Sequence, residues 1–241
     1  MRLPTLVATI TALLAATPLV QASEITETGS IAPRLTNFTD TSSLSFAQFD
    51  PSLGTLNWVS ISITGTVLGT ARAESMDSAP TTLSLDLSAI EALTTPLTSI
   101  LASVAPDAHL SFAATAYDGT LDFGGTSGTT VSGLSASASA NNVRFGSGSI
   151  YDEFVGTGNI QLSLNARGSS FGSGAGNLLT QFTTQASAVV TVTYDYAAPV
   201  PEPASVSLCA AGLCLIGWRA RNRMSGGGTR RGSDSCGRRG F

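Results

Sequence analysis

The chain has 241 residues, of which only 12% are charged, about half the usual share, and this length suits one all-β domain or two small ones. All twelve basic residues are Arg, while 32 Ser and 30 Thr supply most of the polarity. No dense basic face of the kind that grips nucleic acid is available, a hydrophobic content of 42% speaks against wholesale disorder, and one His with three Cys leaves little for metal or acid–base chemistry.

The chain opens with Met1 and Arg2, an apolar run from Leu6 to Leu14 broken only by Thr, and then Val20, Gln21, Ala22 and Ser23. A charged start, an apolar centre and small residues at the end predict a secretory signal peptide over residues 1–22, cut between Ala22 and Ser23. No Cys follows that cut, which argues against lipid attachment of the bacterial lipoprotein kind.

Residues 23–198 form the expected exported domain, and their dominant periodicity is two. From Asn57 to Leu68, Trp58, Ser60, Ser62 and Thr64 alternate with Val59, Ile61 and Ile63, predicting a half-buried strand that ends or bends at Gly65. The phrase Asp50-Pro51-Ser52-Leu53-Gly54 before it has the residues of a tight turn. Alternation recurs at Leu83–Leu87, His109–Ala116, Ile160–Leu164 and Val190–Tyr196, with Gly and Ser between. The expected fold is all-β, an antiparallel β-sandwich or jelly roll. Two stretches depart from this. Ser88–Val104 spaces Ile90, Leu93, Leu97, Ile100 and Leu101 as a helix would, interrupted by Pro96, and predicts a short helix or helical loop on one edge. Gly124–Asn142, a succession of Gly, Ser, Thr and Ala, predicts a long flexible connection.

The C-terminal sixth changes character. Pro201-Glu202-Pro203 leads into an apolar span at 204–218, followed by Arg219, Arg221 and Arg223. Fifteen helical residues reach about 22 Å, short of the roughly 30 Å hydrocarbon core, so the expected transmembrane helix suits a temporary anchor better than a permanent one. The Arg cluster would lie on the cytoplasmic side. Residues 224–241, rich in Gly and Arg without apolar periodicity, are expected to be disordered. Charge divides along the same boundaries: residues 23–200 hold four Arg against fourteen acids, about minus ten, which the total of minus four conceals. All three Cys (Cys209, Cys214 and Cys236) lie beyond that domain, so no disulfide framework holds it.

Catalytic constellations are sparse. His109 shares one strand face with Asp107 and Ser111, but side chains two apart stand roughly 7 Å from each other, too far for the hydrogen bonds of a triad. Gly146-Ser147-Gly148-Ser149 and Gly168–Gly176 read as loops with no helix after them, so they make no nucleophile elbow. Asp152 with Glu153, and Asp118 with Asp122, are the candidate acidic pairs. The first is where a glycosidase reading would begin. The second sits in an oxygen-rich turn that could take calcium, although EF-hand spacing and the β-roll repeat are missing. Trp58, Tyr117, Tyr151 and Tyr194 are the candidate stacking platforms for a sugar.

The order Pro-Glu-Pro, apolar span, Arg cluster over 199–223 resembles the PEP-CTERM sorting signal of Gram-negative bacteria. The phrases Phe49–Leu56, Phe154–Gly158 and Val192–Tyr196 resemble the choice-of-anchor E domain carried by such proteins. These resemblances imply a substrate rather than an enzyme: signal peptidase removes the N-terminus, the inner membrane holds the chain transiently, and an exosortase recognises Pro201-Glu202-Pro203 and cleaves near it. The expected product is a cell-surface or matrix protein associated with exopolysaccharide, without cofactor or catalytic residues. The alternatives are a carbohydrate-binding module or an extracellular polysaccharide hydrolase. Members usually stop soon after the Arg cluster, and the tail to Phe241 departs from that pattern.

Overall fold

In the computed structural model of the protein, the described residues are 22–199, 212–214 and 216–217. Ten strands follow in order: β1 (Ala22–Leu35), β2 (Phe38–Ala47), β3 (Thr55–Ser75), β4 (Thr81–Thr94), β5 (Ile100–Val104), β6 (Asp107–Ala114), β7 (Gly128–Phe145), β8 (Asn159–Gly168), β9 (Phe171–Ser173) and β10 (Leu178–Ala197). A five-residue helix, α1 (Ser149–Glu153), lies between β7 and β8. Along β3, Val59, Ile61, Ile63 and Val67 are fully buried while Ser62, Thr64 and Thr66 between them are not, so the period of two has produced a strand with one face in the core.

One sheet has the order β1-β10-β3-β7 and the other β2-β8-β4-β5, every pair antiparallel. β5 pairs with β4 over residues 91–94 and β6 pairs with it over 81–88, so β5 and β6 are one edge strand interrupted near Pro106. β8 and β9 likewise share the other flank of β4. Counted this way the order is 1-8-3-6 in one sheet and 2-7-4-5 in the other, the winding of an eight-stranded jelly roll. The all-β sandwich expected from the alternation is therefore observed. Ile61, Ile63, Val190 and Val192 from the first sheet meet Leu44, Phe46, Leu93, Leu162 and Leu164 from the second in the main core.

Several local expectations need correction. Ser88–Val104 is not helical: it is the second half of β4, a turn over Thr95–Ser99 and β5. Ile90, Leu97 and Ile100, which set the helical spacing, are 50%, 69% and 66% exposed, whereas Leu93 and Leu101 are buried in the sandwich. Gly124–Asn142 is not a flexible connection either, since most of it is β7, paired with β3 from Gly128 to Phe145. Its inward positions are Leu134, Ala136, Ala138 and Ala140, and Ser135, Ser137 and Ser139 face outward, so the alternation is present in side chains too small to read as hydrophobic. β3 does not end at Gly65 but runs on to Ser75. α1 follows Gly146–Gly148, where no helix was expected, and β9 occupies part of Gly168–Gly176.

The expected turn at Asp50–Gly54 is present as a single 3-10 turn. Asp50 Oδ1 accepts a hydrogen bond from the Ser52 amide at 2.8 Å, and Gly54 takes φ 143°, where an added Cβ would collide with the Ala197 carbonyl. That close approach seats the turn against the last residues of β10. Among the described residues no helix is long and apolar enough to cross a membrane.

Candidate functional sites

The described residues reach the first expected cleavage point and stop short of the second. Ala22 and Ser23 open β1 and pair with Ala197 and Tyr196 at the end of β10. Pro201, Glu202 and Pro203, the Arg cluster at 219, 221 and 223, and the tail at 224–241 lie outside the described residues, as does most of the apolar span. The domain therefore ends on a central strand, held by β1 on one side and β3 on the other, whose last residue, Ala197, lies four positions before Pro201.

The outer face of that four-stranded sheet explains where the hydroxyls of the composition go. Thr26 of β1 lies 3.1 Å from Thr193 of β10, and Thr28 lies 3.3 Å from Thr191. On the other side, Thr64 of β3 meets Ser139 of β7 at 2.8 Å and Thr66 meets Ser137 at 2.7 Å. Ser62 continues these rows on β3, whereas Ser60 is buried. Pleat and strand spacing set such groups about 4.8 Å apart across strands and about 6.8 Å apart along them. The result is a surface of hydroxyl donors and acceptors with few charges, interrupted by Val189, which is 47% exposed.

The aromatic candidates separate clearly. Tyr194 is not a platform: it is buried between Phe49 and Phe154, its hydroxyl donates to the Ala47 carbonyl at 2.6 Å, and burial, reinforced by Glu27, pushes its phenol well above the ordinary value. Trp58 reaches the outer face, but the Arg144 guanidinium covers its ring at 4.1 Å. Tyr117 is exposed. Tyr151 donates to the Leu56 carbonyl at 2.8 Å and, with Phe49, Pro51, Leu56, Asp152 and Val155, lines a groove of about 440 Å³. Asp152 thus joins this groove, whereas Glu153 is not among its lining residues.

Asp118 and Asp122 each close their own turn: Asp118 Oδ1 accepts from the Thr120 amide at 2.9 Å and Asp122 Oδ1 from the Gly124 amide at 2.8 Å. Among the described residues no three His, Cys, Asp or Glu converge to hold a metal ion. His109 makes its contact across strands rather than along its own. Its Nδ1 lies 2.6 Å from Oδ1 of Asp86, directly across from it on β4, a pairing that only the strand register reveals.

Two acidic groups were not legible as special. Glu74 is fully buried, its Oε1 accepting from the Ser127 hydroxyl at 2.6 Å while Oε2 has no partner. Glu91 is fully buried, with neither oxygen partnered among the described residues. In the sequence, Glu91 was hidden within the presumed helical edge.

Residues 199–223 match the PEP-CTERM protein-sorting motif. The chain carries an exosortase sorting signal. That motif implies export, membrane-anchored transit and processing by exosortase on the way to the cell surface. No curated protein matches the chain. Among solved structures it is similar to the VP2 subviral particle of infectious bursal disease virus, at 14% identity over 74% of this chain and 38% of that one, with a TM-score of 0.23. A structure of the Gx strain of the same virus is similar at 12% identity over 75% and 37%, with a TM-score of 0.22. The chain spans less than two fifths of those proteins' length. At such scores the jelly-roll winding rests on the strand order alone.

Proposed function

We propose that this protein is a non-enzymatic surface or extracellular-matrix protein of a Gram-negative bacterium, with an ectodomain of the choice-of-anchor E type that associates with exopolysaccharide. The observation that carries the reading is the sorting motif beginning where β10 ends. Signal peptidase cuts after Ala22, the span at 204–218 holds the chain in the inner membrane with Arg219, Arg221 and Arg223 on the cytoplasmic side, and exosortase removes everything beyond the neighbourhood of Pro201-Glu202-Pro203. Mass spectrometry of the protein recovered from the cell surface tests this: the expected termini are Ser23 and a residue near Pro201, and an intact Phe241 would overturn it.

The hydroxyl-covered face supports the polysaccharide association, because its donors and acceptors match those of a sugar chain and its paucity of charge lowers the cost of desolvation. Placing acids there with Thr66→Glu and Ser137→Glu should abolish co-sedimentation with isolated exopolysaccharide. A carbohydrate-binding module working through the groove is the second reading, favoured by the Tyr151 ring beside the Asp152 carboxylate. In that case Tyr151→Ala, not the face substitutions, removes binding on a glycan array.

A further inference from the structure

β4 turns Ala89, Glu91 and Leu93 toward the core, and the middle one carries a carboxyl group. Glu91 is flanked within its own sheet by Val104 of β5 and Ala166 of β8. Across the sandwich it meets Gly65 of β3: a Cβ added there would stand 2.5 Å from Glu91 Oε2 and 2.7 Å from a methyl of Val104. Gly65 is in turn flanked by Ala138 of β7 and Ala188 of β10. The carboxyl group therefore occupies a chamber that these small residues leave open.

Among the described residues, nothing in that chamber compensates a charge. The inward residues around it are Ile63, Gly65 and Val67 on β3, Val104 on β5, Leu164 and Ala166 on β8, Ala186 and Ala188 on β10, and Ala138 on β7, none of them ionisable. The four Arg of the domain are elsewhere: Arg34 binds Asp40 at 2.8 Å, Arg72 reaches Gln181, Arg144 covers Trp58 and Arg167 is exposed. A bare carboxylate in such surroundings is strongly disfavoured, whereas the protonated acid is a tolerable packing group.

We propose that Glu91 is a pH-responsive latch: protonated, it packs the centre of the jelly roll over Gly65, and ionised, it draws in water by releasing the edge strand β5. β5 is the least costly door. It is five residues long, holds β4 through only four register pairs with an irregularity after Leu93, and carries exposed Ile100 at its start, while its Val104 covers the carboxyl group directly. Every other wall is a longer strand, and β3, β4, β8 and β10 are each paired on two sides. Burial agrees with the geometry, pushing the Glu91 carboxyl from 4.5 up to about 7.

Hydrogen exchange on the full chain in mild detergent tests the latch. After correction for intrinsic exchange, protection of the amides of residues 100–104 should fall on the order of a hundredfold between pH 5 and pH 8.5, while the β3 and β10 amides stay protected. In Glu91→Gln and in Glu91→Leu the same amides should show no such dependence. A flat profile in the unmodified protein, or an equal fall in either folded variant, overturns the proposal. Carbon NMR of the Glu91 carboxyl group decides independently of any variant: titration near neutrality supports the latch, and titration in the ordinary range near 4.5 overturns it.

Discussion

Gly65 and Glu91 are best understood as one packing unit divided between two sheets. Gly65→Ala places a methyl group 2.5 Å from Glu91 Oε2 and 2.7 Å from Val104, so it should destabilise the domain by about 1–3 kcal/mol. Glu91→Ala vacates the same space. A double-mutant cycle by denaturant unfolding at pH 5, where the carboxyl group is neutral, should therefore show the two changes compensating by about 1 kcal/mol or more. Strict additivity would mean that the chamber relaxes around the methyl group without engaging Glu91. The sequence showed Gly65 only as an interruption in an alternating run, which suggests a bend or an end. What the position requires is close approach of a side chain from the facing sheet, and no pattern local to β3 carries that information. The Asp86–His109 pair was hidden for the same reason, its partners being 23 residues apart and joined by strand register alone.

Among the elements, β7 tests whether the period of two governs a strand almost without large apolar residues. Ala138 points inward beside Gly65, and Ser135 points out to solvent opposite Leu68. Ala138→Asp should cost about 3 kcal/mol or more by burying an unpaired charge, whereas Ser135→Asp should stay within about 0.5 kcal/mol. Thermal or denaturant unfolding distinguishes them, and equal effects would refute the assigned register. β3, β8 and β10 were legible because Val, Ile and Leu alternate there with Ser and Thr. β7 was not, since Ala and Ser differ too little in polarity to announce a face. At Ser88–Val104 the error was of the opposite kind: exposed Ile90, Leu97 and Ile100 supplied apolar residues at helical spacing by coincidence, and Pro96 marked a hairpin turn rather than a broken helix. The sorting segment was readable from the chain alone because its recognition depends on consecutive residues.

Across the whole molecule, two carboxyl groups set opposing limits on stability. Asp40 is held at about 2 against an ordinary 3.8, chiefly by the Ser43 amide, with help from the Ser42 amide, the Ser43 hydroxyl and Arg34. Its contribution is present above about pH 4 and disappears as the pH falls through 4 toward 2, amounting to about 1–2 kcal/mol for a carboxylate held at the rim of a sheet. Glu91 works the other way. Its carboxyl group, raised from 4.5 to about 7, imposes no penalty below pH 4.5, and the penalty grows between 4.5 and 7 to about 3 kcal/mol. The acidic domain adds self-repulsion that also eases as pH falls. Stability should therefore peak near pH 4–5, below the neutral range in which many proteins are most stable. Equilibrium unfolding of the full chain from pH 3 to pH 9 measures this directly: Glu91→Gln should flatten the decline toward neutrality, and Asp40→Asn should flatten the decline toward acid. A maximum at neutral pH in the unmodified protein would show that Glu91 ionises without cost. A neutral-side decline that survives Glu91→Gln would assign it to the distributed charge of the domain instead.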